Sequence, residues 1–425
     1  MDVESGAVHV VDDVTYDVIA LFEDTEISKI VEQLSDKYDK ADIEEAISEV
    51  NQLKEDGQLF TQDIYQPFIE EFKDKRQTVV KALCLHIAHD CNLACKYCFA
   101  EEGEYHGRRA MMSFEVGKKA LDFLVANSGS RVNLEVDFFG GEPLMNWDVV
   151  KQLVEYGRSL EEPNHKKFRF TLTTNGVLLN DEIMEYLNKE MSNVVLSLDG
   201  RKEVNDRMRP FRTGKGSYDL IVPKFQKLAE SRNQSNYYVR GTFTRDNLDF
   251  SEDVKHFADL GFKQMSIEPV VGPEEDPYSI REEDLPKIME EYDKLALEYI
   301  KREKEGRGFN FFHFMIDLNQ GPCVYKRLSG CGSGTEYLAV TPWGDFYPCH
   351  QFVGNEEFLM GNVDEGIKRT DLVKHLETVT YTQKRNAKTA LQDFIAVAVV
   401  QPTHLIFMEQ SMMHMRLDVK WKERE

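Results

Sequence analysis

Two hydrophobic rhythms divide the chain. Up to about residue 60 apolar positions recur at helical spacing: Ile27, Ile30, Val31 and Leu34 follow Thr25, which reads as an N-cap, and Ile43, Ile47, Val50 and Leu53 form a second face that Gly57 ends. Residues 8–60 thus predict a short strand, two helices and a wing, a small winged-helix pattern. From about residue 79 the pattern changes to strands alternating with amphipathic helices. Candidate strands are 81–88, 133–139, 168–174, 193–198, 236–243 and 263–269, with helices such as 114–127 and 148–159 between them. Six βα units predict an α/β fold, a parallel sheet curled into a partial TIM-like barrel, with function on the loops after the C-terminal ends of the strands. Residues 281–304 read as a long charged helix leading out of the barrel, and from about residue 373 the tail changes character.

Composition narrows the class. A chain of 425 residues can bury a sizeable core without disulfides. Its longest apolar runs, such as Phe394–Val400, are far shorter than a membrane span, and the acidic N-terminus lacks a secretion signal, so a cytoplasmic protein without a membrane partner is expected. Seven cysteines, three of them within eight residues, point to metal ligation in a reducing compartment. The net charge is -23, and residues 1–60 hold seventeen Asp or Glu against four Lys. That field repels nucleic acid and attracts basic ligands, so a basic peptide along the strand edge of the winged helix is the expected partner. A solvated acidic surface is the simpler reading of any one charge run.

The first barrel strand runs into Cys91-Asn92-Leu93-Ala94-Cys95-Lys96-Tyr97-Cys98, three thiols on one loop at the catalytic end. This spacing wraps three corners of a 4Fe-4S cube and leaves its fourth iron open. The alternative is zinc, with His86 or His89 as a fourth ligand. The second strand ends in Gly140-Gly141-Glu142-Pro143, where glycines allow close backbone approach to a ligand and Glu142 can accept from an ammonium. Asp199, at the end of the fourth strand, is the candidate catalytic carboxylate, against the plainer reading of a turn residue.

CxxxCxxC with an aromatic before its last cysteine, after the first strand of a βα array, resembles the radical S-adenosylmethionine (SAM) superfamily. The resemblance implies SAM on the open iron, Tyr97 against the adenine, Gly140, Gly141 and Glu142 at the methionine amino group, Ser197 at the ribose and Arg209 on the carboxylate. Arg240 and Val270, on and after the next strands, are further candidate contacts.

Cys323, Cys331 and Cys349 follow the barrel, and Cys331, Gly344 and Cys349 fit the first half of the SPASM pattern, whose cysteines ligate auxiliary 4Fe-4S clusters in the intact family fold. The second half should read CX2CX5CX3C, yet no cysteine follows Cys349. A shifted reading frame restores that spacing at Asn386–Ala387, Thr389–Ala390, Ile395–Ala396 and Val399–Val400, with a last cysteine at Asp418–Val419, which suggests a frameshift near Leu372. An authentic divergent tail is the alternative.

Residues 8–370 are similar to the maturases of Cys-rich SCIFF peptides, most closely over Cys98–Gly103, Met112–Glu115 and Leu134–Leu144. The expected organisation is a peptide-recognition domain over 1–75, N-terminally incomplete, a radical SAM barrel over 79–305, the first part of a SPASM domain over 306–372 and an aberrant tail over 373–425. The implied activity is reductive SAM cleavage and thioether formation between a cysteine sulfur and an α-carbon of a precursor peptide, with a flavodoxin- or ferredoxin-type electron donor. Missing auxiliary ligands put the activity of the chain as written in doubt. A sulfatase-maturing (formylglycine-generating) enzyme and a non-catalytic iron–sulfur or zinc adaptor are the alternatives.

Overall fold

The computed structural model describes residues 2, 4–62, 78–105, 107, 109–273, 275–315 and 332–378. The described residues up to Gln62 belong to one unit, and those from Thr78 to Phe314 and from Gly332 to Glu377 to another.

The N-terminal unit holds three helices, α1 (Asp13–Leu21), α2 (Ile27–Leu34) and α3 (Lys40–Glu55). They share a core of Val18, Ile30, Leu34, Ile43, Ala46, Ile47, Val50 and Leu59. Among its described residues there is no strand, which departs from the strand and wing expected over 8–60. The missed helix α1 starts where the Asp12 carboxylate accepts from the Thr15 N–H at 2.9 Å. The cap of α2 is Glu26, without a side-chain cap bond, and not Thr25. At the end of α3, Gly57 takes φ 65°, and the Gln58 N–H reaches back to Leu53 O at 2.9 Å, a left-handed stop that favours glycine.

In the larger unit β1 (Ala82–His89), β3 (Asn133–Gly140), β4 (Lys167–Thr174), β5 (Asn193–Ser197), β6 (Tyr237–Phe243), β7 (Gln264–Pro269) and β8 (Asn310–Phe311) lie side by side, all parallel. The six expected strands fall within one residue of their bounds. The short β2 (Ala110–Met111) pairs with β1. On the other side of β1 the sheet continues through β9 (Tyr337–Val340), parallel, and antiparallel β10 (Asp345–Tyr347), β11 (Gly361–Asn362) and β12 (Gly366–Ile367). The result is a mixed sheet whose path ends at β12 and β8 without closing. Every residue of β1 is buried, as a strand with neighbours on both edges and cover on both faces must be.

Alternation sorts the other strands. Leu134, Val136, Phe138, Phe168, Phe170, Leu172, Val194, Leu196, Val239 and Ile267 are buried in the core under the helices. Helices α4 (Phe114–Asn127) and α5 (Trp147–Asn164) pack on that face: a Cβ on Gly117 would meet Leu153, and one on Gly157 would meet Phe170. The opposite face carries Asp137, Thr171, Thr173, Ser197, Arg240, Thr242 and Glu268 by the same two-residue period. Helices α6 (Asp181–Glu190), α7 (Lys202–Met208), α8 (Tyr218–Ser231) and α9 (Phe250–Asp259) complete the crossovers, and α10 (Leu285–Lys304) is the expected charged helix. Helix α11 (Thr370–Thr378) crosses Leu372 without a break, with Leu372 buried and Val373 and Leu376 packed on the core. The tail expected to be aberrant lies, from residue 379 on, outside the described residues.

Candidate active site

The cysteine loop leaves β1 and is gripped from two sides. On one, Gly141 N–H donates to Ala88 O (2.7 Å) and Glu142 N–H to Asp90 O (2.9 Å). A Cβ on Gly140 would stand 2.4 Å from Ala88 O, and one on Gly141 2.1 Å from Asp90 O. The two glycines thus serve an approach of backbone to backbone. On the other side, Ala94 N–H donates to Pro210 O (2.8 Å) and Lys96 N–H to Met208 O (2.9 Å), and Leu93 bridges Phe211. Arg212 closes the base, donating to Asp90 Oδ1 (2.9 Å) and Cys91 O (2.7 Å).

Donors surround the sulfurs. Leu93 N–H lies 3.5 Å and Asn175 Nδ2 3.6 Å from Cys91 Sγ. Burial pushes the Cys91 thiol up to about 11 and the Cys95 thiol up to about 12, while the Arg209 cation acts in the opposite direction on both. The Cys98 charge is felt by both Cys91 and Cys95, and the Cys91 charge by Cys95. Cluster binding requires thiolates, which N–H donors and a nearby cation stabilise, so the donor set fits a cube held by Cys91, Cys95 and Cys98. Among the described residues no three His, Cys, Asp or Glu side chains converge on a single ion, whereas a cube takes one cysteine per iron. His86 and His89, considered for a zinc site, are buried and bonded to each other at 3.0 Å.

A second knot gathers residues from distant segments. The Tyr97 hydroxyl donates to the Asp199 carboxylate (2.8 and 2.9 Å) and accepts from Arg209 Nη1 (2.8 Å). Asp199 also accepts from Thr242 N–H (3.1 Å) and lies 3.9 Å from Arg209. Burial raises Asp199 to about 6, against the pull of Arg209 and these hydrogen bonds. Fully buried and committed to this network, Asp199 positions Tyr97 and Arg209 and has no access to a substrate as the expected catalytic group. Arg209 Nε is buried without a hydrogen-bond partner, which fits an anionic group such as a SAM carboxylate beside it.

Glu142 is anchored by the scaffold. Its buried carboxylate accepts from Leu144 N–H (3.0 Å), Thr174 Oγ1 (2.8 Å) and Asn175 N–H (2.8 Å), tying the end of β3 to that of β4. Three of about four acceptor positions are filled by scaffold donors, and the one that remains could still accept from an ammonium. Burial raises its pKa. Ser197 lies opposite Arg240, which is exposed, on the face away from the helices. Val270, buried just past β7, donates its N–H to Phe243 O (2.8 Å). Cys349 is buried after β10, whereas Cys323 and Cys331 lie outside the described residues.

Three further residues take part, of which Arg212 alone lies outside the segments that the sequence points to. Asn175 bonds Cys91 and Asn92, buried Asn205 bonds the Asp199 N–H (3.4 Å), and Arg212 braces the loop. Asn175 is signalled by its place at a strand end and Asn205 by the segment it opens, Asn205–Arg209. On the face away from the helices, Glu268 accepts from Ser266 Oγ (2.5 Å) and lies 3.3 Å from His313 Nε2. Burial would raise Glu268, but the His313 bond and nearby Arg240 bring it below the usual carboxylate range.

A parallel α/β sheet with a three-cysteine loop after its first strand, backed by a buried cation, defines an enzyme built around an iron–sulfur cluster. Residues 85–282 match the radical SAM superfamily, which supports a SAM-cleaving enzyme. It is 28% identical over 287 residues to the uncharacterised protein MJ0907 of Methanocaldococcus jannaschii, covering 67% of this chain and 90% of that protein. It is 25% identical over 292 residues to the cysteine-type anaerobic sulfatase-maturating enzyme of Clostridium novyi, covering 65% and 74%. Streptococcus suis SuiB bound to its precursor peptide SuiA shares the fold, with a TM-score of 0.51 at 17% identity over 87% of this chain and 83% of that one. The cofactors are a 4Fe-4S cluster and SAM. Among the described residues no helix is long and apolar enough to cross a membrane.

Proposed function

We propose that the protein is a peptide maturase that joins a cysteine sulfur to an α-carbon in a ribosomally made, Cys-rich peptide. The observation that carries the radical half of this reading is the cysteine loop clamped by Gly141 and the 208–211 strip, with Arg209 Nε unsatisfied beside it. Bound there, the cluster and SAM supply a one-electron reductive cleavage that yields a hydrogen-abstracting radical. The chain's own groups hold the loop, keep Arg209 charged next to Tyr97 and Asp199, and offer a polar face of Ser197, Arg240 and Glu268 to a substrate.

The peptide half is supported by the SCIFF-like runs of sequence and by kinship with an enzyme named for maturing sulfatases. That kinship also favours a second reading, formylglycine formation on a sulfatase. The acidic N-terminal unit, with Val8 and Val10 exposed, would take the basic leader. Cys323, Cys331 and Cys349 would ligate auxiliary clusters completed only when the other reading frame is restored after Leu372. Incubating reconstituted enzyme with SAM, reductant and a Cys-rich precursor separates the readings. Loss of two hydrogens with alkylation-resistant cysteines supports the thioether; a new aldehyde on a sulfatase peptide, with no change in the precursor, refutes it.

A further inference from the structure

A second group of ionisable side chains lies on the inner face of the sheet, beyond the cysteine loop and the Tyr97–Asp199–Arg209 knot. Glu268, near the end of β7, accepts from Ser266 Oγ (2.5 Å) and faces His313 Nε2 at 3.3 Å. The other ring nitrogen of His313, Nδ1, lies 2.9 Å from the hydroxyl of Tyr292 on α10. Tyr292 and His313 are buried, whereas the Glu268 side chain keeps 21% of its surface exposed. Burial raises this carboxylate, yet His313 and Arg240 bring it below the usual range, so it is ionised and the hydrogen in the His313 contact sits on Nε2. Ser266 and the braced imidazole thus fix the carboxylate from behind, and about two of its four acceptor positions stay open.

Arg240 stands beside it. In the register of β6 and β7, Arg240 is opposite Ser266 and Thr242 is opposite Glu268, so the cation lies on the adjacent strand two residues short of the carboxylate. Strands about 4.8 Å apart and a rise of about 6.6 Å over two residues set the two Cα atoms about 8 Å from each other. Arg240 is exposed. Thr242 also donates its N–H to Asp199 (3.1 Å), which puts the pair level with the Tyr97–Asp199–Arg209 knot. An anchored acceptor and a guanidinium donor at this spacing complement the N–H and C=O that flank a single α-carbon.

We propose that Glu268 and Arg240 clamp one residue of the substrate peptide by its backbone, Glu268 accepting its N–H and Arg240 donating to its C=O. The inference deepens the peptide-maturase reading and rests on it. Removing an α-hydrogen requires the α-carbon to be held in place, and a backbone clamp does this for any side chain. The clamp itself makes and breaks no covalent bond; the α-hydrogen leaves as an atom to the 5′ carbon of the cleaved cofactor.

The test uses the reconstituted holoenzyme with SAM, dithionite and a Cys-rich precursor deuterated at the α-carbon that becomes cross-linked. The readout is the fraction of 5′-deoxyadenosine carrying deuterium, which reports where the α-carbon stands and not how much SAM is cleaved. A second precursor carries an ester oxygen in place of the N–H of that residue. With wild type, the ester should lower the labelled fraction at least about fivefold, and Arg240→Leu should do the same with the amide precursor. Glu268→Leu should show that loss with the amide and no further loss with the ester, while Glu268→Gln, which keeps an acceptor, should recover part of it. An unchanged fraction for the ester in wild type or for Arg240→Leu, or a further fivefold loss on the ester in Glu268→Leu, overturns the clamp. Absence of deuterium transfer from the amide precursor in wild type overturns instead the α-carbon reading on which the clamp rests.

Discussion

The two ends of the site hold their residues by different means. Where β1 meets β3, backbone grips backbone: the Ala88 and Asp90 carbonyls receive the N–H groups of Gly141 and Glu142, and no space remains for a single methyl group. Where β5 meets β6, side chains do the holding: Tyr97, Asp199 and Arg209 meet across sequence separations of 102 and 112 residues, in a place dry enough to raise the Asp199 carboxyl to about 6. The first end is held chiefly by steric fit of the backbone. The second is electrostatic, and its contribution changes with protonation.

The sharpest way to break the contrast is Gly141→Ala. With backbone oxygen 2.1 Å from the new Cβ, the loop must move, at a cost of about 1–3 kcal/mol or more. Iron retained after reconstitution should fall to a small fraction of wild type at any pH. Retention of full iron would show the contact to be soft.

Asp199→Asn should leave the loop intact and change the pH profile instead. The folded pKa of about 6 lies above the unfolded value, so the native state holds its proton more tightly. The stability contributed is full below about pH 4 and is lost as pH rises through 6. The shift amounts to about 3 kcal/mol. In urea titrations, wild-type stability measured relative to the variant should decline by about that much between pH 4 and 7; parallel curves would remove Asp199 from the account.

Tyr97→Phe takes away the hydroxyl between the carboxylate and the guanidinium while keeping the ring. A loss of about 1–3 kcal/mol in stability is expected, with weaker SAM binding by equilibrium dialysis, because Arg209 loses its anchor. The smallest effect concerns the N-terminal unit. Leader binding should weaken severalfold as salt screens its acidic surface, and a leader that binds equally well at low and high salt would detach the charge from recognition.

Legibility followed the same divide. The strands that carry the site could be placed from their apolar patterns, continuous in β1 and alternating in β3 and β4, and the cysteine loop and Gly140–Gly141 were visible because their residues are contiguous. What those glycines approach was not visible, since Asp90 and Gly141 meet only once the strands pair. Glu142 was read as an open acceptor, but its donors Thr174 and Asn175 come from another strand. Asp199 looked catalytic for the same reason: its carboxylate is spent on Tyr97 and Thr242, which no local pattern announces. Helix α1 was missed because its inward residues, Thr15 and Val18, are too few to show a period.

The central claim is that Cys91, Cys95 and Cys98 hold the cluster at which SAM is cleaved. It is tested most directly by 5′-deoxyadenosine formation in anaerobically reconstituted wild type and Cys95→Ala, with dithionite as reductant and no peptide present. The account predicts SAM-dependent 5′-deoxyadenosine from wild type and none above background from the variant. Equal product from both would contradict it.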